Sequence, residues 1–169
     1  MSDQPLPPGA YDALKRPSNA GDRSRIRKLS DFENGVLAVF ASHDKDPAEL
    51  THKFDLLCPR NGCGSVILKA GVGRWVERDS VELDITKQPL HQDLPALPAP
   101  PATAQWWLVG PTVMEFENIG FTKPVQQDAV APKLKFLICA ECELGPLGWC
   151  EEGPRVEEFW LACSRVGYR

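Results

Sequence analysis

The chain has 169 residues, of which 43% are hydrophobic and five are tryptophan, enough for one domain with a substantial apolar core. Residues 1–30 contain six Lys or Arg against three Asp or Glu, and the remaining residues contain thirteen against twenty. An acidic body disfavours nucleic acid as a partner, because binding to phosphates requires clustered basic side chains. The chain also has no apolar run long enough for a transmembrane helix.

The N-terminal residues have the composition of a solvated tail. Residues 1–30 are rich in Pro, Ser, Asp and Arg and lack a periodic apolar pattern, which predicts disorder. The opening residues, MSDQPLPPGAYD, contain no apolar segment of the kind found in secretory signals, so we expect a cytoplasmic protein with reduced cysteines. The basic cluster from Arg23 to Lys28 could contact an anionic membrane or a partner, or be solvated.

We divide the chain into two parts. Residues 1–50 are assigned to a mostly disordered or weakly ordered N-terminal extension, and residues 51–169 to a folded domain. Within the stretch 31–57, the apolar run at 36–40 could form a short strand and residues 47–54 a short helix, and the periodicity does not decide.

The rest of the chain has the alternation of short antiparallel strands separated by turn residues. Predicted strands cover residues 65–69, 74–78, 81–85, 105–109, 113–117, an apolar run that starts at 134, and 158–166. Residues 88–104 contain five prolines, which a central strand would not tolerate, so we expect a surface loop there.

Four cysteines form two pairs with the spacing of metal ligands. Cys139 and Cys142 are two residues apart in the stretch LKFLICAECELGPLGW, at the end of an apolar run. Cys58 and Cys63 are separated by four residues that include a proline and a glycine, which favour a turn. Together the pairs supply four thiolates, the closed tetrahedral shell of a structural zinc ion. We therefore expect one zinc ion per chain.

The separation of the pairs indicates what the metal does. Seventy-five residues lie between Cys63 and Cys139, far more than in a zinc ribbon, so the ion should join parts of the sheet that are distant in sequence. Binding to such a site is worth ~10 to 16 kcal/mol, as much as the ~5 to 15 kcal/mol stability of a typical domain. Loss of the zinc should therefore unfold the sheet.

Two motifs resemble a known family. FENIGFTK at 116–123, followed by KFLICAECELGPLGW at 135–149, resembles the signature of the Rab-interacting factor family. Members are zinc-containing guanine nucleotide exchange factors, or chaperones, of exocytic Rab GTPases. The resemblance covers about residues 55–168. It implies a mainly β fold of twisted antiparallel sheets of the β-tent type, closed by the structural zinc. It also implies a monomer that binds nucleotide-free Rab GTPases of the secretory pathway and promotes GDP release, without covalent catalysis.

The resemblance also implies a set of Rab-binding residues. These are Val113, Met114, Phe116, Asn118, Gly120 and Glu141. The chain departs from the family pattern at Thr112, where an acidic residue is expected, at Met114, where an aromatic residue is usual, and at Glu141, which replaces Asp. An apolar patch beside acidic groups could replace the GTPase contacts that hold the nucleotide. Strand alternation leaves open whether Met114 and Phe116 face the solvent or the core.

Two other functions fit the same residues. One is a zinc-stabilised protein-interaction module without exchange activity. The other is a methionine sulfoxide reductase of the B type, an enzyme that would require Cys150 or Cys163 as a nucleophile. The histidines fall in regions that we expect to be weakly ordered or linkers, namely His43, His52 and His91. A lone cysteine on a strand is more typical of core packing, which favours the binding protein.

Overall fold

The computed structural model describes residues 26–42, 46, 48–85 and 90–169, and these residues form a mainly β fold. The strands within them are β1 (Arg27–Lys28), β2 (Phe40–Ser42), β3 (Leu50–His52), β4 (Leu56–Leu57), β5 (Val66–Leu68), β6 (Arg74–Asp79), β7 (Thr103–Val109), β8 (Gly120–Phe121), β9 (Leu134–Ile138), β10 (Gly148–Glu151), β11 (Phe159–Ala162) and β12 (Gly167–Tyr168). Short 3-10 helices cover Leu29–Asp31, Gly35–Val39, Val113–Glu115 and Cys163–Arg165. None of the described helices is long and apolar enough to cross a membrane.

The strands form two antiparallel sheets. The smaller sheet has the order β1-β12-β4-β5, and the larger has the order β2-β3-β6-β7-β11-β10-β9-β8. Long hydrogen-bonded ladders lie at the centre of the larger sheet, where β6 pairs with β7 over six residues, from Arg74 opposite Leu108 to Asp79 opposite Thr103. The predicted mainly β fold with antiparallel sheets is confirmed.

Adjacent tryptophans on β7 belong to two different apolar clusters. Side chains alternate between the faces of a strand, so Trp106 and Trp107 point in opposite directions, and both are fully buried. Trp107 packs with the main core, where its indole N–H donates to the Tyr168 hydroxyl at 3.1 Å. Trp106 packs edge-on against Trp149 in a second cluster, which also contains Trp160. At β7, both faces of the larger sheet are therefore covered with apolar side chains.

The predicted strand at 113–117 is wrong. The backbone forms the 3-10 helix Val113–Glu115 instead, because the Thr112 hydroxyl accepts a hydrogen bond from the Met114 N–H at 3.2 Å and caps a tight turn. The predicted strand at 81–85 is also absent. Leu83 in this segment is buried in the second cluster, but the segment makes no strand pairing.

Three further stretches of the chain differ from what the sequence predicts. Residues 35–39 form a 3-10 helix, and β2 starts only at Phe40. The short helix that the sequence left open at 47–54 does not form in the described residues, since Leu50–His52 is the strand β3 and pairs with β2. The predicted closing strand at 158–166 ends at Ala162, after which the 3-10 helix Cys163–Arg165 leads into β12.

The predicted weakly ordered extension contains structured residues. The described residues 26–42 supply a strand to each sheet, and β1 pairs with β12 with Arg27 opposite Tyr168. The prediction of disorder is therefore wrong for residues 26–30, whereas residues 1–25 lie outside the described residues. The strand β1 consists of two polar residues, which is too short for a helical or strand-like hydrophobic pattern. The sequence therefore does not predict it.

The proline-rich segment is not confined to the surface. Of its described part, residues 90–104, the last two begin β7 and the rest form no strand, yet Asp93 and Leu94 are buried. The Asp93 carboxylate accepts a hydrogen bond from the Lys28 ammonium at 2.6 Å, and the Pro95 carbonyl accepts one from the buried Arg165 guanidinium at 3.0 Å. Arg165 also forms a two-bond ion pair with Asp84, so two segments without strands are fixed to the core.

Candidate metal centre and partner-binding surface

The four predicted cysteine ligands lie together where the two sheets meet. Cys58 follows β4 of the smaller sheet, and Cys139 follows β9 of the larger sheet. The sulfur atoms of Cys58, Cys63, Cys139 and Cys142 all lie within 4.8 Å of one another. A metal ion bound here would therefore join two sheets that the sequence separates widely.

The spacing of the sulfurs tests whether a metal fits. Four thiolates bonded to zinc at about 2.3 Å form a tetrahedron whose edges measure about 3.8 Å. Cys58 and Cys142 are 3.5 Å apart at sulfur, and Cys63 and Cys139 are 3.8 Å apart. A disulfide needs about 2.05 Å, and all of these cysteines are free. The arrangement could hold one tetrahedrally coordinated metal ion.

The first cysteine turn, residues 58–63, depends on glycines. Gly62 and Gly64 have φ angles of 88° and 63°, in the left-handed region that favours glycine. The turn is closed by the Cys63 N–H, which donates to the Arg60 carbonyl at 3.0 Å, and by the Cys58 N–H, which donates to Ser65 at 2.8 Å. Left-handed glycines therefore allow the chain to fold back so that two sulfurs point the same way.

The second cysteine turn, residues 139–142, directs backbone N–H groups at sulfur. The hydrogen bond with Cys58 and the backbone N–H groups of Cys142 and Glu141 lower the pKa of the Cys139 thiol to about 5. The same hydrogen bond with Cys139 raises the pKa of the Cys58 thiol. Donors aimed at sulfur stabilise a thiolate, which is the form that binds metal.

Two side chains outside the ligand set support the turns. The Arg60 guanidinium donates to the Cys142 carbonyl at 3.0 Å and so links the first turn to the second. Asp93 accepts from the Asn61 N–H at 3.4 Å while it pairs with Lys28. The sequence did not predict these roles, because Arg60 lies within a turn of generic composition and Asp93 is far from both turns in the chain. The one local feature that distinguishes Arg60 is its positive charge between two metal ligands, and this does not specify its partner.

A surface groove lies next to the second cysteine turn. It has a volume of about 490 Å³ and is lined by Val113, Met114, Phe116, Glu117, Asn118, Ile119, Ala140 and Glu141. Asn118 holds the two sides of the groove together, because its side-chain oxygen accepts a hydrogen bond from the Ala140 N–H at 2.9 Å. The groove and the cysteine turn are thus one connected structure.

Five of the six predicted partner-binding residues line this groove. Met114 is 84% exposed and Val113 is 38% exposed, so both face the solvent. Phe116 is half-buried, and its ring packs edge-on against Phe159 with centroids 5.6 Å apart. Glu141 is exposed. The 3-10 helix, rather than strand alternation, therefore lets successive residues reach the surface.

The sixth predicted residue, Gly120, lies outside the groove. It begins β8 and pairs with Ile138 of β9. A methyl group added at Gly120 would lie 3.0 Å from an Ile138 side-chain carbon. Gly120 therefore allows two strands to approach closely, which is a structural role and involves no lining of the groove.

The two remaining cysteines are not placed as nucleophiles. Cys150 and Cys163 are each 1% exposed. Burial raises the pKa of the Cys150 thiol to about 11 and raises that of Cys163 well above its ordinary value. Reactive cysteines need the thiolate and access to a substrate, so the structure disfavours the reductase. Cys163 lies in the 3-10 helix after β11, not on the predicted strand.

One histidine prediction is wrong. His52 is fully buried in β3 rather than in a weakly ordered region, and its ring packs edge-on against Trp107. Its Nδ1 donates to the Phe54 carbonyl at 2.8 Å and its Nε2 accepts from the Gly73 N–H at 2.9 Å. Burial lowers the pKa of His52 to about 4, so the ring is neutral and structural. His43 lies outside the described residues.

Comparison with known proteins identifies the family. The family model described as Mss4 protein matches residues 52–168, about two thirds of the chain. This chain belongs to the Mss4 family. It is 33% identical over 107 residues to the guanine nucleotide exchange factor MSS4 homolog of Drosophila melanogaster, an alignment that covers 63% of this chain and 79% of the relative. The predicted resemblance to the Rab-interacting factor family is confirmed.

The Mss4 match includes all four clustered cysteines and every residue that lines the groove. It begins at His52 and therefore leaves out β1 and β2. Both strands therefore lie outside the matched residues 52–168.

Proposed function

We propose that this protein binds nucleotide-free Rab GTPases of the secretory pathway, stabilises them and promotes the release of GDP. The observation that carries this proposal is the groove beside the second cysteine turn, which combines the highly exposed Met114 with the exposed carboxylates Glu117 and Glu141. The exchange-factor name of the Drosophila relative supports it. The protein would act as a monomer in the cytoplasm and reach secretory membranes through its GTPase partner.

Exchange of this kind needs no catalytic side chain. A protein that binds the nucleotide-free GTPase more tightly than the GDP-bound form weakens GDP binding by the same factor, as thermodynamic linkage requires. An apolar side chain such as Met114 can pack against GTPase residues that move away from the nucleotide-binding site. A carboxylate such as that of Glu141 can bind a basic or N–H group which the nucleotide had engaged.

We infer that the metal is zinc and that its role is structural. Four thiolates leave no open position for a substrate, and tetrahedral sulfur ligation favours zinc or an iron–sulfur centre. A closed site between β4 and β9 would hold the two sheets together and fix the second cysteine turn against the groove. Zinc would supply no chemistry beyond this support.

Release of fluorescent GDP from a panel of purified Rab GTPases tests the proposed function. We expect the full chain to accelerate release from at least one secretory-pathway Rab and to form a stable complex with it after GDP is removed. Met114→Asp should weaken both effects, because it would replace an exposed apolar side chain by a third negative charge in a groove that already has two carboxylates. The matched control is Val130→Asp, since Val130 is 95% exposed and lies outside the groove.

Three results would separate the possible outcomes. Accelerated release that Met114→Asp weakens and Val130→Asp does not would support the proposal. Stable binding without faster release would leave a GTPase chaperone or an interaction module. Absence of binding to every Rab in the panel would refute the proposed function.

A further inference from the structure

A second apolar pocket lies beside the groove. It has a volume of about 460 Å³, and its lining includes the apolar side chains Val113, Phe121, Val156 and Phe159. Val113 also lines the groove, so the two cavities share an edge. The proposed exchange function makes no use of this pocket.

Aromatic contacts also connect the two cavities. The buried Phe159 ring contacts Phe116 of the groove, with centroids 5.6 Å apart, and Phe121 of the pocket, with centroids 6.0 Å apart. Val113, Met114 and Phe121 are three of the six large apolar side chains exposed on the described residues. They lie along this one surface, so it is a continuous apolar strip.

The ends of the strip carry opposite charges. The groove is lined by the carboxylates Glu117 and Glu141 and by no basic residue, whereas the pocket is lined by Lys135 and Arg155 and by no acidic residue. Arg155 forms an ion pair with Glu157 at 2.6 Å. Lys135 has no ion-pair partner in the part of the chain that the structure describes. Arg155 and Val156 also line an adjoining cavity that contains Glu151, Glu152, Glu157 and Glu158, so Lys135 is the basic side chain of the pocket that a partner's carboxylate would bind. A partner across the whole strip would therefore fit best with a basic group near Glu117 and Glu141 and an acidic group near Lys135.

We propose that the pocket is the second half of the GTPase-binding surface, and that it receives one large apolar side chain of the GTPase next to a carboxylate that binds Lys135. This inference rests on the proposed function. Burial of an apolar side chain over Phe121 and Phe159 stabilises the complex, and the opposite charges at the two ends fix the direction in which the GTPase segment lies. The reversed direction would place like charges together at both ends.

Charge reversal at Lys135 tests the acidic contact. The binding probe is the nucleotide-free Rab that the unmodified protein binds most tightly in the panel. We expect Lys135→Glu to reduce affinity by about tenfold or more, because it replaces attraction with repulsion. Lys133→Glu is the matched control. It makes the same charge change at an exposed residue that does not line the pocket. Metal content and thermal unfolding of each variant show whether it is folded.

A bulky substitution tests the apolar contact. Val156→Trp should fill the pocket and reduce affinity by about tenfold. Val130→Trp makes the same change at an exposed site outside the pocket and should leave affinity unaltered. Equal affinity of Val156→Trp and Val130→Trp would contradict insertion of a GTPase side chain.

Charge exchange identifies the partner group. Each surface Asp or Glu of the GTPase is changed to Lys in turn, and we expect one of these changes to restore binding to Lys135→Glu. Failure of every exchange, or normal affinity of Lys135→Glu, would overturn the pocket proposal. If Met114→Asp still weakens binding in that case, the proposed function stands without the pocket. If no Rab binds the unmodified protein, both proposals fail.

Discussion

The two cysteine turns each supply two thiol ligands, but they differ in backbone conformation and in the side chains that support them. In the turn of residues 58–63, the left-handed positions are glycines, whereas in the turn that contains Cys139 and Cys142 the left-handed residue is Glu143, with a φ of 60°. The first turn is tied to the interior through Asp93, and the second is tied to the groove through Asn118. One metal site therefore joins a turn that anchors the fold to a turn that shapes the surface.

The comparison predicts that the metal itself serves both turns equally. Removal of the proposed zinc ion by a strong chelator, or replacement of either Cys58 or Cys139 by Ser, should cost more than about 5 kcal/mol of unfolding free energy and abolish the proposed GTPase binding. The measurements are circular dichroism, metal content and affinity for a nucleotide-free Rab. Retention of metal by only one of the two variants would show that the turns are not equivalent.

The buried cysteines provide the control for this experiment. Cys150→Ser and Cys163→Ser should retain the metal, because neither sulfur belongs to the cluster. If Cys139→Ser kept its full metal content while Cys150→Ser lost it, the assignment of ligands would be wrong.

The second prediction separates the turns by binding rather than by stability. Glu141→Ala should weaken binding of a nucleotide-free Rab by about 2 kcal/mol, the lower end of the cost of truncating one partner of a buried charged hydrogen bond. Metal content and the unfolding temperature should not change, since the Glu141 side chain is exposed in the free protein. Isothermal titration calorimetry measures the difference.

The matched change in the first turn is Asn61→Ala. Asn61 is also exposed and also lies between two ligands, but it does not line the groove. We expect its affinity for the Rab to be normal. Equal losses in Glu141→Ala and Asn61→Ala would mean that the groove is not the binding site.

The cysteine turns could be predicted from local sequence patterns, whereas the backbone conformation of the groove could not. Cysteine spacing and nearby glycines are encoded within a few residues, so the ligand cluster could be located before any coordinates were known. The apolar and acidic alternation of residues 113–117 fits a strand equally well, and only the hydroxyl cap of Thr112 selects the 3-10 helix. Exposure of neighbouring residues could not follow from a strand model.

Long-range contacts account for the other failures. Lys28 and Asp93 form an ion pair across 65 positions of sequence, and no local pattern connects them. The strand β1 has two residues and exists because β12 offers it a hydrogen-bonding edge. Similarly, Arg165 is buried because Asp84 and two backbone carbonyls satisfy its guanidinium. Each residue looked like an ordinary solvated charge until its partners were placed.

The third prediction concerns the support of the first turn. Asp93→Asn should reduce the unfolding free energy by about 1 kcal/mol, because the Lys28 ion pair is lost but Lys28 is partly exposed and the pair is therefore screened by solvent. GTPase affinity should stay normal, since Asp93 does not contact the groove. Urea unfolding of the protein purified with its metal measures the change. Asp79→Asn, at the exposed end of β6, is the control and should have no effect.

The smallest expected effect is the loss of the bond between the second turn and the groove. Asn118→Ala removes the acceptor of the Ala140 N–H, and because Ala140 is exposed, water can take its place, so stability should fall by less than about 1 kcal/mol. Binding should nevertheless weaken, since Glu141 follows Ala140 and its position depends on this bond. Asn118→Asp keeps an acceptor oxygen and should retain the position of the turn. Exchange of the Ala140 amide hydrogen with solvent, measured by NMR, should be faster in Asn118→Ala and unchanged in Asn118→Asp. Unchanged exchange in both variants would show that Asn118 does not hold the turn against the groove.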